Sequence, residues 1–321
     1  MRNNRFAAGL ALILALASSC AIAQQKSVRV LAGFAAGGTL DAMTRLFADA
    51  LRVNLGQPMI VEIRAGASGL LAIEALRAAP ADGSVLMTAA SGTTMLLPNT
   101  YKNPPFDPTR DFIPVAQMGQ VDFVLTVNAE VPAKTAVEFA ALARSVPKYR
   151  TIGTPPRSNP HFLAMLFARA ANVEVVHVPY KGSGPALTDL IGGQIAAAFL
   201  TVGEAQEMDR AGKVRILASS GARRSTLLPN VPTLRESGFD VEGSSWYAFF
   251  APVGTPDPVV ERLSMAIVEV AGSADLRARL IRAGIEPAGL PQKELAAKVR
   301  LEYEQIGNAL RAAGFKQEMS F

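Results

Sequence analysis

Four turns rich in glycine and hydroxyl residues are the parts of this sequence best suited to chemistry. Each follows a short apolar run that is typical of a buried strand, and three of them lead toward a stretch with helical spacing. They are Gly33–Met43, Ser91–Thr93, Gly153–Asn159 and Tyr180–Gly184. Because the first backbone N–H groups of a helix have no partner within it, such turns are typical of anion-binding sites.

The first turn, "GFAAGGTLDAM", carries the clearest signal. Gly37 and Gly38 permit positive φ and let a ligand approach the backbone closely, next to Thr39. The helix that is predicted to begin near Leu40 adds the positive end of its dipole. A plain strand-to-helix turn, with Asp41 as its cap, is the alternative interpretation. The turn contains neither the dinucleotide motif G-x-G-x-x-G nor the phosphate motif G-x-x-x-x-G-K-[ST].

The other turns add candidate ligand contacts of the same kind. Ser91, Gly92 and Thr93 follow the third predicted strand, and Tyr180 and Lys181 follow a strand in the second half. Lys181 fits either a contact with a ligand carboxylate or a position facing solvent or the opposite lobe. All four turns are predicted at the carboxyl ends of parallel strands, where ligands bind in open α/β sheets. The sequence therefore predicts a polar cradle of backbone amides and hydroxyls.

Residues that catalysis or metal binding would require are sparse. The chain has two histidines, His161 at a predicted helix start and His177 inside an apolar strand. His161 fits a ligand contact or helix-start packing equally well, whereas His177 is predicted to be structural. Asp107 and Asp111 are explained by a turn after proline-rich sequence, and neither G-x-S-x-G nor H-E-x-x-H occurs. We therefore predict no catalytic residue, no metal site, no cofactor and no enzyme activity.

Strand-like and helix-like stretches alternate along the chain in two series. The first series predicts strands at 28–32, 59–63, 84–89 and 121–127, and helices at 40–55 and 70–78. The second predicts strands at 149–153, 173–178, 195–200, 214–219 and 247–251, and helices at 135–145, 161–171, 186–191, 204–211, 259–271, 274–283 and 292–313. This alternation favours two α/β lobes with mainly parallel sheets, joined by strands that cross between them.

Composition is consistent with an exported protein of about two domains. The chain has 321 residues, half of them hydrophobic. Two N-terminal arginines, an apolar run and an A-x-A sequence predict a cleavable signal peptide at 1–23, cut after Ala23. Cys20, the only cysteine, is predicted to be an ordinary signal-peptide residue rather than a lipid-attachment site. The rest of the chain has 30 basic and 27 acidic residues and no long run of like charge, so nothing indicates nucleic-acid binding.

A run near the middle of the chain, "VHVPYKGSGPALTDLIGGQIAAAF", closely resembles the signature of the Bug-type extracytoplasmic solute receptors. These are the binding proteins of tripartite tricarboxylate transporters. The segments "GFAAGGTLD", "PPFDPTRDFIPVAQM", "LPNVPTLRESGF" and "SSWYAFFAPVGTP" match the family in the same order, from about Val28 to the end. The resemblance implies a two-lobed, type II-like periplasmic-binding-protein fold with two crossing strands, which closes around a small organic anion.

The resemblance also implies which residues bind the ligand, largely through backbone amides and ordered waters. It assigns contacts to Phe34, Gly37, Gly38 and Asp41 from one lobe and to Thr154, Ser158, Asn159 and His161 from the other. The sequence departs from the family in a proline-rich loop before His161 and at Leu200-Thr201, where relatives often place Asp and Asn. Thr201 remains a candidate contact, and a less polar floor at Leu200 gives the hypothesis of an aromatic or longer aliphatic acid as ligand.

The expected organisation is a first lobe over 24–124 and 249–321, a second lobe over 125–248, and a ligand cleft between them. The expected function is a monomeric periplasmic receptor that binds a mono- or dicarboxylate and delivers it to the permease subunits of a tripartite transporter. Two alternatives stay open. The same cleft could serve a receptor that docks on a sensor kinase, or the chain could be an exported α/β enzyme, for which no nucleophile–base pair is visible.

Overall fold

The computed structural model describes residues 27–312 and residue 317, and the predicted signal peptide at 1–23 lies outside them. Strands and helices alternate along the described chain. The strands are β1 Val28–Ala32, β2 Met59–Ile63, β3 Val85–Ala90, β4 Phe112–Asn128, β5 Thr151–Thr154, β6 Val176–Pro179, β7 Ala197–Thr201, β8 Val214–Ser219, β9 Ser244–Pro252 and β10 Glu286–Pro287. The helices are α1 Thr39–Leu55, α2 Leu70–Arg77, α3 Leu97–Asn99, α4 Ala136–Ser145, α5 Asn159–Ala170, α6 Ser183–Ile191, α7 Val202–Arg210, α8 Asp257–Gly272, α9 Ala274–Arg282 and α10 Gln292–Ala312.

The long strand β4 joins two groups of strands. Its first part pairs antiparallel with β9 from Phe112 to Asp122, and its last part pairs antiparallel with β7 and β8 from Phe123 onward. We call β1, β2, β3, β9 and β10, with the start of β4, the first lobe. The second lobe is formed by β5 to β8 with the end of β4. The residue boundaries of the lobes given by the sequence remain a prediction.

Within each lobe, three neighbouring strands are parallel. The order β2-β1-β3 in the first lobe and β6-β5-β7 in the second brings the carboxyl ends of these strands to one edge of each sheet. The predicted turns, which follow β1, β3, β5 and β6, and the end of β7 lead into helical segments at those edges. The predicted alternation of strands and helices is confirmed, and it places the four turns where the two lobes meet.

The first half of β4 is the main element that the sequence pattern misses. The strand begins at Phe112, whereas the apolar run predicts it only from Val121. Proline and polar residues interrupt the apolar run, and the pairing with β9 shifts register between Pro114 and Ala116 and again between Gln117 and Gly119. Bulges of this kind break the two-residue periodicity on which strand prediction depends.

The core lies between the sheets and the helices that cover them. Helix α1 buries Met43, Phe47 and Leu51 at helical spacing, and Phe47 meets Phe249 of β9 edge to face at 6.0 Å between ring centroids. The helix stops where Gly56 takes the left-handed conformation, with φ 67°. Truncating Phe47 to Ala would lower the free energy of unfolding by about 3–5 kcal/mol, because it would remove buried apolar surface and leave a cavity. This packing holds the start of α1 rigidly at the lobe edge.

Candidate functional site

A cleft of about 600 Å³, its open mouth included, lies where the two lobes meet. Nine of the residues predicted as ligand contacts line it. They are Phe34, Gly38, Thr39, Asp41, Gly92, Thr93, Ser158, Asn159 and Thr201. The structure thus brings together residues from three of the four predicted turns and Thr201 from the end of β7, although their contact with a ligand remains a prediction.

The start of α1 forms one end of the cleft, which we call the α1 end. Gly37, with φ 86°, allows the turn, and its N–H donates to Asp41 Oδ2 at 3.1 Å. Asp41 in turn accepts a hydrogen bond from Arg45 Nε at 2.8 Å. The N–H of Thr39 donates to Glu204 Oε1 at 2.8 Å. Two carboxylates of the protein therefore lie at this helix N-terminus, where the dipole favours negative charge.

The start of α5 forms the opposite end, which we call the α5 end. Its N-cap residue, Ser158, donates its hydroxyl to the carbonyl of Pro155, and the side chain makes no capping bond to the helix. The first turn of α5 contains no acidic residue. The start of α5, which lines the cleft through Ser158, Asn159 and Pro160, therefore has no carboxylate from its own helix beside it.

Close packing between the lobes at the α5 end depends on Gly92. A Cβ at this position would lie 2.8 Å from Asn159 Oδ1, closer than real contacts allow, and 3.0 Å from Asn159 N. Asn159 Nδ2 also donates to Ser91 Oγ at 3.4 Å and to the Ser244 carbonyl at 3.3 Å. The turn after β3 and the start of α5 thus touch across the cleft, and a larger residue at Gly92 would hold them apart.

The floor of the cleft is largely aromatic. Phe123 of β4, Phe199 of β7 and Tyr247 of β9 all line it, and each is buried. Burial, and then the charge of Glu204, raise the pKa of the Tyr247 hydroxyl well above its usual range. Leu200 does not line the cleft, since it packs with Val124 in the core of the second lobe. The apolar floor is therefore real, but the sequence hypothesis placed it at the wrong residue of β7.

The two histidines lie behind the proline-rich loop and not on the cleft wall. Their rings stack at 4.1 Å between centroids, 19° from parallel. His161 Nδ1 accepts the N–H of Arg157 at 2.9 Å, and His177 Nε2 lies 2.9 Å from Thr154 Oγ1. Burial, then the neighbouring His177 and Arg157, lower the pKa of His161 to about 4. His161 therefore positions the loop as a neutral acceptor, which is the packing interpretation of the sequence rather than the ligand-contact one.

The remaining predicted residues lie beside the cleft. Ser91 is buried, and its Oγ lies 3.0 Å from Ser245 Oγ. Thr154 is buried against His177. Tyr180 and Lys181 line a neighbouring cavity that Phe34 separates from the cleft. The Tyr180 hydroxyl donates to Asp189 at 2.6 Å, and burial followed by this carboxylate raises the Tyr180 pKa to about 12.

Further lining residues escape the sequence analysis; four of them lie within the predicted turns and the others lie outside them. They are Ala35, Leu40, Ala90, Phe123, Pro155, Pro160, Ser183, Phe199, Glu204, Ser245 and Tyr247. The position of Glu204 at the start of a helix could have been predicted from the sequence. The segment from Thr201 to Glu204 forms a capping box, a Thr-x-x-Glu pattern that marks the start of a helix.

The chemistry that this arrangement supports is recognition by hydrogen bonds. Among the described residues that line the cleft, none is Lys, Arg or His, and Asp41 and Glu204 are the charged ones. No cluster of three potential metal ligands occurs within residues 27–312 and 317. The cleft offers helix N-termini, hydroxyls and an aromatic floor, which suit an anionic small molecule with an apolar body.

Comparison with known proteins identifies the family to which this chain belongs. The family model described as "Tripartite tricarboxylate transporter family receptor" matches residues 43–314. The chain is 30% identical to Protein BugT of Bordetella pertussis over 302 residues, which cover 91% of this chain and 90% of that protein.

Solved structures with the same architecture include two that match nearly the whole described chain. The periplasmic binding protein BugD superposes with a TM-score of 0.87 at 27% identity, covering 91% of this chain and 99% of that one. Rpa4515 of Rhodopseudomonas palustris, solved with adipate, superposes with a TM-score of 0.85 at 30% identity, covering 90% and 97%. The predicted two-lobed periplasmic-binding-protein fold is confirmed.

Proposed function

Because this chain belongs to the tripartite tricarboxylate transporter receptor family, we propose that it captures a small carboxylate-bearing metabolite in the cleft and delivers it to a transporter. In this proposal it acts in the periplasm, after its predicted signal peptide at 1–23 has been removed. It carries out no reaction. Ligand binding shifts an equilibrium between open and closed forms, and the permease subunits recognise the closed form.

The α5 end of the cleft is the observation that carries this proposal. Ser158 and Asn159 begin a helix whose first turn holds no acidic side chain, and they face Gly92 and Thr93 across the cleft. A ligand carboxylate at this position would accept hydrogen bonds from backbone amides and would interact favourably with the helix dipole. Closure of the second lobe over the first would then remove the ligand from water.

The carboxylate ligand of a structural relative supports the same assignment. Rpa4515, which shares 30% identity with this chain, was solved with adipate. The aromatic floor formed by Phe123, Phe199 and Tyr247 fits an acid with an apolar body, which here includes aliphatic chains and rings.

Thermal unfolding of the protein that starts at Gln24 tests the proposal. The panel consists of mono-, di- and tricarboxylates, aliphatic and aromatic, with sugars and phosphate as controls. A ligand at 100 times its dissociation constant stabilises the fold by about 2.7 kcal/mol, which raises the midpoint by several degrees. We expect such a shift with carboxylates and not with sugars. A protein without co-purified ligand that responds to sugars or phosphate and to no acid would contradict the proposal.

A further inference from the structure

Glu204, at the α1 end of the cleft, is held in a fixed position by its own helix. It is the third residue of α7, and its Oε2 accepts the N–H of Thr201 at 3.0 Å. Its own N–H donates to Thr201 Oγ1 at 3.4 Å, which completes the capping box. Reciprocal bonds of this kind tie the side chain back to the start of the helix, so the carboxylate is not free to swing into solvent.

The second carboxylate oxygen of Glu204 reaches across to the first lobe. Oε1 accepts the N–H of Thr39 at 2.8 Å and the hydroxyl of Thr39 at 3.0 Å, and it also accepts the hydroxyl of Ser183. The hydroxyls of Thr39 and Thr201 lie 2.6 Å apart beside this contact. Glu204 therefore occupies the position at the N-terminus of α1 that the sequence analysis gave to a ligand anion.

The negative charge of Glu204 is not compensated by a cation within the cleft. The donors to its carboxylate are backbone amides and hydroxyls, which are uncharged. Asp41, the other acidic residue of the lining, forms an ion pair with Arg45, whose Nε lies 2.8 Å from Asp41 Oδ1. No Lys, Arg or His occurs among the described residues that line the cleft. A second negative group brought to the α1 end would be repelled by this charge.

We propose that Glu204 makes this protein a receptor for monocarboxylates, with the ligand carboxylate at the α5 end and an uncharged group at the α1 end. The proposal rests on the carboxylate-binding function proposed above and adds its specificity. A ligand whose far end donates a hydrogen bond, such as a hydroxyl or an amide, fits beside Glu204. A dicarboxylate would place its second charge against Glu204 and is rejected.

Matched pairs of acids test this inference by isothermal titration calorimetry at pH 7.5. Each pair consists of a linear dicarboxylate and its monoamide: succinate and succinamate, glutarate and glutaramate, and adipate and adipamate. The two members of a pair have nearly the same shape and differ by one charge. We expect the best-bound monoamide to bind about 100-fold more tightly than its dicarboxylate, from the repulsion of two like charges a few ångströms apart.

The variant Glu204→Gln removes the charge at nearly the same shape; its one carbonyl oxygen can accept the N–H of Thr201 or the N–H of Thr39, and not both. We expect the variant to reduce the preference for the monoamide to within about tenfold. Glu207→Gln is the matched control, since Glu207 lies exposed on the same helix, and it should leave the preference unchanged. A wild-type protein that prefers the dicarboxylate, or a preference that Glu204→Gln does not alter, would overturn the inference and leave the carboxylate-receptor function standing. If thermal unfolding shows no carboxylate of any kind to bind, the receptor function itself fails, and this inference fails with it.

Discussion

The two helices that begin at the cleft, α1 and α5, present similar N-termini with opposite electrostatic surroundings. The first turn of α1 contains Asp41, and Glu204 accepts the N–H of Thr39. The first turn of α5 contains no acidic residue, and its start faces Gly92. Both helix N-termini have a dipole that favours an anion, but at α1 the carboxylates of Asp41 and Glu204 already provide the negative charge. The difference teaches that side-chain charges, more than glycine-rich turns, decide which helix end is available to a ligand.

The largest effect is expected when a carboxylate is added to the α5 end. Asn159→Asp would place a negative charge where we propose that the ligand carboxylate binds, so affinity should fall about 100-fold or more. The fold should survive, because an acidic residue in the first turn of a helix interacts favourably with its dipole. Calorimetry with the best ligand of the panel gives the affinity, and thermal unfolding without ligand gives the stability.

Asn172→Asp is the matched control for this change. Asn172 is exposed just after the opposite end of α5, so the same charge change there should leave the affinity within about twofold. If Asn159→Asp bound acids as tightly as the wild type, the ligand carboxylate would not lie at the α5 end.

A smaller effect is expected from acid through the titration of His161, which lies beside the α5 end. The pKa of His161 is lowered to about 4, mainly by burial, while the unfolded chain keeps a value near 6.5. Between these values the unfolded chain binds more protons, so stability is complete above pH 6.5 and falls as the pH drops toward 4. Because the ring is partly exposed, the loss should be roughly 1–2 kcal/mol.

Urea unfolding of the wild type and of His161→Asn across pH 4–7.5 measures this contribution. The amide oxygen of asparagine can still accept the N–H of Arg157, but the side chain does not titrate. The difference in unfolding free energy between the two proteins should therefore change over this pH range and stay constant above it. A difference that is independent of pH would show that His161 is not the neutral acceptor that positions the loop.

The smallest effect is expected at the α1 end, from Arg45→Gln. Arg45 is half exposed, and its ion pair with Asp41 joins residues one turn apart on α1. Pairs of this kind contribute about 0.3–0.5 kcal/mol, so the unfolding free energy should change by no more than that. The uncompensated charge of Asp41 should also weaken dicarboxylate binding a few-fold further. A loss of stability above about 1.5 kcal/mol, measured by urea unfolding, would mean that Arg45 holds the α1 end together.

Much of the architecture could be predicted because it depends on local patterns. The spacing of Met43, Phe47 and Leu51 defines one face of α1, and the apolar runs define β1 and β7 to within a few residues. The turns after four strands then had to lie at the sheet edges, because parallel strands end on the same side.

The rest of the site depends on contacts between residues far apart in sequence. The contact of Glu204 with Thr39 joins residues 165 positions apart, and Tyr247 reaches the floor because β9 pairs with β4 in a register that bulges shift. Lys181 could not be placed either. Only the packing of Phe34 shows that Lys181 lines a neighbouring cavity, whereas Ser183 of the same turn lines the cleft.

A crystal structure of the complex with the acid that most raises the unfolding midpoint tests the central claim most directly. We predict that the ligand carboxylate lies within hydrogen-bond distance of the backbone amides at Ser158 and Asn159. In the same structure Glu204 should still accept the N–H of Thr39. A carboxylate bound to the N–H of Thr39, with Glu204 displaced, would contradict the account, because the α1 end would then be the one that takes the anion.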